Sequence, residues 1–168
     1  MKVEWNGYRL TDNEIQALLT LKGGKLTGLQ IGTGSVSELK DGLTQLQGKG
    51  LLFHSEEGDM VEKVLSFVVC ELGNTSRCVL FETEEEEIVA GLYCCRHMWI
   101  FLGRRRGVWQ LYPLPELEAA RTVFRQYAEQ SGVQGAYYLY DGEIRILDSQ
   151  TGTQEIMGTL ENWARRNG

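Results

Sequence analysis

Between Arg77 and Tyr112 the apolar residues stop recurring at helical spacing and begin to alternate, and both alternating sets are apolar. Ile88, Ala90 and Leu92 interleave with Val89 and Tyr93, and Ile100 and Leu102 interleave with Trp99 and Phe101. Successive strand side chains point to opposite faces, so a sheet of this composition is covered on both faces, by helices or by a partner chain. The pattern divides into four strands: Cys78–Glu82, Ile88–Cys94, Met98–Leu102 and Val108–Tyr112. The connections Thr83–Glu87, Cys95–His97 and Gly103–Gly107 are short enough for hairpins, which makes the region an antiparallel meander.

Helical signals precede the meander. Thr11 and Glu14 stand three apart as a capping box, Ile15, Leu18 and Leu19 form an apolar face, and Gly23-Gly24 supplies a stop. A second helix starts near Ser35 or Ser37, carries Val36, Leu39, Leu43 and Leu46, and stops at Gly48 or Gly50. Leu51-Leu52-Phe53 reads as a short strand. Glu56-Glu57-Gly58-Asp59 reads as a turn and acidic helix start, leading to a third helix with Val61, Val64, Leu65, Val68 and Leu72 inward. Beyond the meander, Pro113 and Pro115 break the last strand. A helix from about Glu116 to Gln130, stopped by Ser131-Gly132, buries Leu117, Ala120, Val123, Phe124 and Tyr127. A hairpin, Ala136–Tyr140 and Ile144–Leu147, turns at Asp141-Gly142, a type I′ signal. A final helix after Gly152 carries Ile156, Met157, Leu160, Trp163 and Ala164. The expected fold is a single α+β domain over residues 1–168. Residues 1–72 form a helical part with short strands, and 73–168 an antiparallel meander sheet with two helices, a C-terminal hairpin between them.

Composition narrows the function classes. The chain has 168 residues, 42% hydrophobic and 24% charged, the profile of a globular domain rather than a disordered one. No apolar stretch is long enough to cross a bilayer, and Met1 to Leu10 holds no basic segment followed by an apolar run. The expectation is a cytoplasmic chain without membrane insertion. The formal charge is −6 with a pI near 5.0, which argues against non-specific nucleic-acid binding. A winged helix-turn-helix is suggested by helix, helix and strand in order. Residues 1–72 nevertheless hold seven cations against ten acids, and the second helix offers Glu38 and Asp41 with only Lys40.

Four cysteines, Cys70, Cys78, Cys94 and Cys95, form no CxxC pair, and His54 and His97 complete the soft ligands. Cys94 and Cys95 point to opposite faces of a strand, so they do not converge on one ion, and reduced structural thiols are expected in place of a metal or cofactor site. No GxSxG, GxxxxGK[ST] or HExxH motif is present, and no GxGxxG opens a helix. Gly32-Thr33-Gly34-Ser35 before a helix is a weak phosphate cradle against a plain loop and cap. No convergent catalytic set emerges, and the expectation is a protein without enzymatic activity.

Two charge runs remain. Glu84 to Glu87 and Arg104, Arg105 and Arg106 fall on the first and third turns of the meander, at the same end of the sheet, where they either balance each other or serve a ligand.

Several stretches taken together resemble the EspG family, cytosolic chaperones of type VII secretion. Leu10-Thr11-Asp12-Asn13-Glu14 resembles that family's opening LT-x-x-E helix. Glu38 to Leu46, followed by Lys49-Gly50-Leu51-Leu52, is similar to its helix with L-x-x-x-G-L-hydrophobic ending. The third helix and meander, with Val89-Ala90-Gly91-Leu92-Tyr93, follow in the same order. The coverage is roughly Lys2 to Tyr127, one lobe of a family whose usual member has two. The resemblance implies binding without catalysis: a protein that holds a helical secretion substrate and keeps it soluble. The contact residues of that family form no motif, so the candidate partner-binding residues come from physics alone: the arginine tip (Arg104, Arg105, Arg106) and the aromatic side chains Trp99 and Trp109, for which a core position competes. Trp99, Phe101, Trp109 and Leu111 read as one apolar face through which a single lobe would homodimerise. An immunity or inhibitor protein that neutralises a toxin is the alternative, and a DNA-binding regulator the third reading.

Overall fold

The computed structural model describes residues 7–82, 88–130, 136–148 and 151–167; within these, the side chains of Ile88, Arg105, Glu129, Gln130 and Asn167 are left out of account. In chain order the elements are β1 (Tyr8–Leu10), α1 (Asp12–Lys22), α2 (Val36–Gly48), β2 (Leu52–Ser55), β3 (Gly58–Val61), α3 (Lys63–Gly73), β4 (Arg77–Glu82), β5 (Ile88–Cys94), β6 (Trp99–Arg105), β7 (Val108–Leu114), α4 (Leu117–Gln130), β8 (Ala136–Asp141), β9 (Glu143–Asp148) and α5 (Thr153–Asn167). The fold is α+β: a seven-stranded antiparallel sheet in the order β1-β7-β6-β5-β4-β8-β9, with β2 and β3 as a separate hairpin.

The local signals act as written. Thr11 caps α1 in a full capping box, its hydroxyl accepting from the Glu14 N–H at 3.2 Å, and Gly23 ends the helix in the left-handed region at φ 67°. Ser35 and Glu38 repeat the box at α2. The third helix begins later than its acidic run suggested. Glu56 and Glu57 are the turn of a hairpin in which Phe53 faces Met60 and His54 faces Asp59. The acid that starts α3 is Glu62, whose carboxylate accepts from the N–H groups of Val64 at 3.0 Å and Leu65 at 2.9 Å. Val61 therefore belongs to β3, and Val64, expected inward, is exposed in the first turn of α3.

Both faces of the sheet's central strands are covered by this chain's own helices. One core joins Leu10, Ile15, Leu18, Leu46, Leu65 and Leu72 to Leu80, Tyr93, Ile100, Leu102, Trp109 and Leu111. The other joins Val79, Phe81, Leu92, Trp99 and Phe101 to Val123 and Phe124 of α4 and to Ile156, Leu160 and Trp163 of α5. Each fully buried leucine or phenylalanine is worth about 1.5–3 kcal/mol, and the two layers share the sheet as common ground. Two indole N–H groups brace the layers. Trp109 donates to Asp12 at the start of α1, and Trp163 of α5 donates to Asp141 at the β8–β9 turn at 2.9 Å.

The meander departs from expectation in three places. β7 runs through Pro113, paired with Ile100, to Leu114. Its pairing with β1 ends at Leu111, so the proline sits beyond that strand, where one side of β7 needs no donor. The two positive-φ central residues of a type I′ turn are Arg106 (54°) and Gly107 (76°), between β6 and β7. At the β8–β9 turn Gly142 alone has positive φ, because among the described residues Arg106 is the one non-glycine with φ above zero. Finally, Trp99 and Phe101 lie in the α4–α5 core whereas Trp109 and Leu111 lie in the α1–α3 core. The two-residue turn pairs Arg104 with Trp109 and Leu102 with Leu111. A five-residue connection would instead pair Phe101 with Trp109, and an odd shift in register moves every side chain to the other face. The four residues thus form no common apolar face, and a dimer through that face is replaced by the chain's own helices.

Candidate partner-binding surface

The arginine tip is built by the turn just described. Arg104 lies opposite Trp109, its guanidinium 5.8 Å from the indole centroid, and reaches Asp12 Oδ2 at 3.5 Å. Asp12 Oδ1 takes the Trp109 indole N–H at 2.5 Å. Arg104 is thereby engaged within the chain as part of the joint between the sheet and α1. Arg106 is exposed at the turn. The Arg105 side chain and the run Glu84 to Glu87 lie outside the described residues, so the pairing of the two charge runs is not among the described contacts. Trp99 and Trp109 are 6% and 3% exposed, on opposite faces, and offer no surface to a partner. That corrects their reading as aromatic anchors: in a sheet covered on both sides, the largest apolar side chains are taken by the cores.

The glycine loop before α2 has its own anion. Glu38 Oε2 accepts from the Thr33 N–H at 2.9 Å, the Thr33 hydroxyl at 2.9 Å and the Ser35 N–H at 3.4 Å. These bonds, the Thr33 N–H first, hold the Glu38 carboxyl below the usual carboxylate range. The donors that would receive a phosphate are therefore already spent on the capping glutamate. The loop borders an open cleft of about 740 Å³, lined mainly by its own backbone and by Gln16 and Leu19.

A second open cleft, of about 550 Å³, lies at the end of α3 and is lined by Cys70, Glu71, Arg77, Arg96 and His97. His97 Nδ1 sits 2.6 Å from Glu71 Oε1 and its backbone N–H donates to Glu71 Oε2 at 3.1 Å, which fixes the β5–β6 connection on α3. Arg77 is paired with Asp141 at 3.4 Å. Cys94 and Cys95 enter opposite cores, as strand alternation requires. Burial pushes the Cys78 thiol up to about 12 and raises that of Cys95 too, with Glu71 adding to the latter, so neither is a thiolate nucleophile at neutral pH. Among the described residues no group of three or more His, Cys, Asp or Glu side chains is placed to hold a metal ion, and no helix is long and apolar enough to cross a membrane.

Four exposed large apolar side chains lie on β2, β3 and α3. Phe53 and Met60 are cross-strand partners on the outer side of the hairpin, while Leu52 on its inner side is buried. Glu62 leads directly into α3, where Val64 and Phe67, three apart, stand outside while Leu65, Val68 and Leu72 are buried. Phe53, Met60, Val64 and Phe67 are each about half exposed. The hairpin tip carries the exposed acids Glu56 and Glu57. The sequence reading missed this surface because it took 56–59 as the start of a helix. The signal lay in the alternation of Asp59, Met60 and Val61 after Gly58, which has φ 117°.

The chain matches no protein-family model, and no curated protein matches it.

Proposed function

We propose that this chain is a non-enzymatic protein-binding protein, an EspG-like secretion accessory protein that holds the apolar side of an amphipathic helix of its substrate against β2, β3 and α3. The observation that carries the reading is the exposed apolar side chains Phe53 with Met60 and Val64 with Phe67, on consecutive elements of a fold whose central strands are covered on both faces. Large apolar side chains left exposed mark interaction surfaces, and an amphipathic helix is an occupant that such side chains suit. Glu56 and Glu57 at the tip favour a helix with a basic end, and Lys63 beside Val64 favours an acidic residue further along. The order of elements resembling EspG supports the same role. A winged-helix role gains a hairpin here, but its tip is acidic where a DNA-binding wing needs cations.

The test places a photo-crosslinking amino acid at Phe67 and, as control, at the exposed Gln154 of α5, in cells that make the protein. The expected result is that crosslinks at residue 67, and not at 154, map to an amphipathic helix of one protein. That protein, purified, should bind with affinity about tenfold lower to the F53S/F67S variant. Equal crosslinking at both positions, or an affinity indifferent to the double substitution, overturns the reading.

A further inference from the structure

Over its central strands the sheet is closed on both faces, and at one edge it is open. β9 pairs with β8 on one side, and among the described residues no strand occupies the other. On it, Ile144 and Ile146 are 62% and 66% exposed. They lie opposite Tyr140 and Tyr138, whose rings pack on the α1–α3 core, so both isoleucines project on that side of the sheet. Arg145 and Leu147, opposite Leu139 and Tyr137, belong to the α5 side, where Arg145 pairs with Glu155. The covering elements stop short of this strand: Gly28 lies against Leu80 and Tyr140, over β4 and β8, and β9 stands beyond them. An open edge carrying two bare isoleucines is a template for another strand.

We propose that the occupant is a second copy of this chain, with β9 pairing antiparallel to the partner's β9 about a two-fold axis through Ile144. The argument is charge. A two-fold axis normal to the sheet keeps each face on its own side, so opposed residues are of equal parity in number. Three such registers centre on residues 144, 145 and 146. Centred on 145, Arg145 faces the partner's Arg145, a like-charge contact that disfavours pairing. Centred on 146, Ile144 faces the partner's Asp148, an aliphatic side chain against a carboxylate. Centred on 144, Glu143 faces the partner's Arg145 twice over, and Ile144 meets the partner's Ile144. Gly142, without a side chain, then lies opposite the partner's Ile146, and the four isoleucines form one cluster. The edge is self-complementary in this register alone. The ladder is short, β9 having six residues, and interfaces smaller than the roughly 1,200 Å² of stable complexes are weak, so the dimer is expected at micromolar concentration and to dissociate on dilution. The proposal is independent of the helix-binding surface on β2, β3 and α3.

The test is sedimentation equilibrium of the full chain from about 5 to about 300 µM, a span that brackets a micromolar dissociation constant. A monomer–dimer equilibrium is expected. E143R sets a like charge against the partner's Arg145 without touching the Arg145–Glu155 pair and should weaken the dimer about tenfold or more. The charge swap E143R/R145E should recover most of that loss. Circular dichroism checks that each variant keeps the fold. A second measurement needs no change of charge: in a C70S background, I144C should form an intermolecular disulfide under mild oxidation much faster than I146C, because only residue 144 meets its own copy. A protein monomeric across the whole range, a dimer indifferent to E143R, or faster crosslinking at 146 overturns the proposal. So does a monomer whose β9 amides gain protection only with a different protein bound, which assigns the edge to that protein.

Discussion

The carboxylate of Asp12 receives the indole N–H of Trp109 at 2.5 Å, ninety-seven residues along the chain. The same side chain attracts Arg104 and places a negative charge at the start of α1, where the helix dipole favours it. One short side chain thus joins three elements: the first helix and the strands β6 and β7 of the hairpin beside it.

The three roles separate by substitution. D12A removes all of them and leaves a buried indole N–H without an acceptor, a loss of about 2 kcal/mol in chemical denaturation. D12N keeps an oxygen for Trp109 and loses the charge, at about 1 kcal/mol. R104A removes an exposed ion pair and costs less than about 1 kcal/mol. If R104A were the costliest of the three, the arginine rather than the indole would hold the joint.

Glu14 and Lys49 form a pair in which the two removals are not independent. The Glu14 side chain is fully buried, with Oε1 2.7 Å from Lys49 Nζ and 3.0 Å from the Thr11 N–H, while Oε2 has no partner among the described residues. K49M strands that carboxylate and is expected to cost about 2 kcal/mol, less than the ~3–5 of a fully buried pair because Lys49 itself reaches water. E14Q/K49M is expected to cost less than the two single changes added together, read from a double-mutant cycle on thermal or urea unfolding. A strictly additive cycle would mean that the two side chains do not interact.

Gly42 marks the closest approach of α1 and α2. A Cβ there would stand 2.1 Å from the Asn13 carbonyl oxygen and 3.0 Å from the Ala17 Cβ. Helix propensity alone makes G42A favourable by about 1 kcal/mol, but the backbone carbonyl cannot yield as a side chain would, and net destabilisation of about 2 kcal/mol is expected. Gly48, the last residue of α2, has nothing within 4 Å of such a Cβ among the described residues, so G48A should stabilise by about 0.5 kcal/mol. Opposite signs for the two substitutions in the same melting experiment check the crossing.

Acid should loosen the chain at two helix starts. The N–H groups of Leu65 and then Val64, with the Tyr8 hydroxyl adding, hold the Glu62 carboxyl below the ordinary range, and the Thr33 and Ser35 donors do the same for Glu38. A carboxyl depressed in the folded state contributes stability above its unfolded value, about 4.3 for glutamate, and that contribution is lost as pH falls through the folded value. Protection of the Val64 and Leu65 amides, taken against the intrinsic exchange rate at each pH, should therefore fall below about pH 4 in the native chain. In E62Q the protection should be lower at neutral pH and nearly flat across the same window. Unchanged protection in the native chain from neutral pH to that point and below it would remove Glu62 from this role.

What was legible beforehand was local or periodic. Capping boxes three residues apart, glycine stops and alternation of apolar residues each report on neighbours in the chain, and they located α1, α2, the four meander strands, α4, the final hairpin and α5. What was not legible depended on partners far away. The face occupied by Trp109 follows from whether the β6–β7 turn has two residues or five, a parity that composition does not carry. β3 is four residues behind two glutamates, too short for its alternation to outweigh an acidic helix start. The candidate surface was missed for the same reason, and Trp99 and Trp109 stood in its place because aromatic residues are as suited to a core as to an interface.

The bracing of each layer by an indole and an aspartate has a spectroscopic consequence. Trp109 sits in the α1–α3 layer and Trp163 in the α4–α5 layer, each bound through its ring nitrogen to a single carboxylate. A chain keeping one of these tryptophans, with the other three replaced by phenylalanine, emits from one layer at a time. Coincident fluorescence transitions would make the two layers a single cooperative unit, and separated ones would make the shared sheet a boundary at which half of the molecule melts while the other half holds.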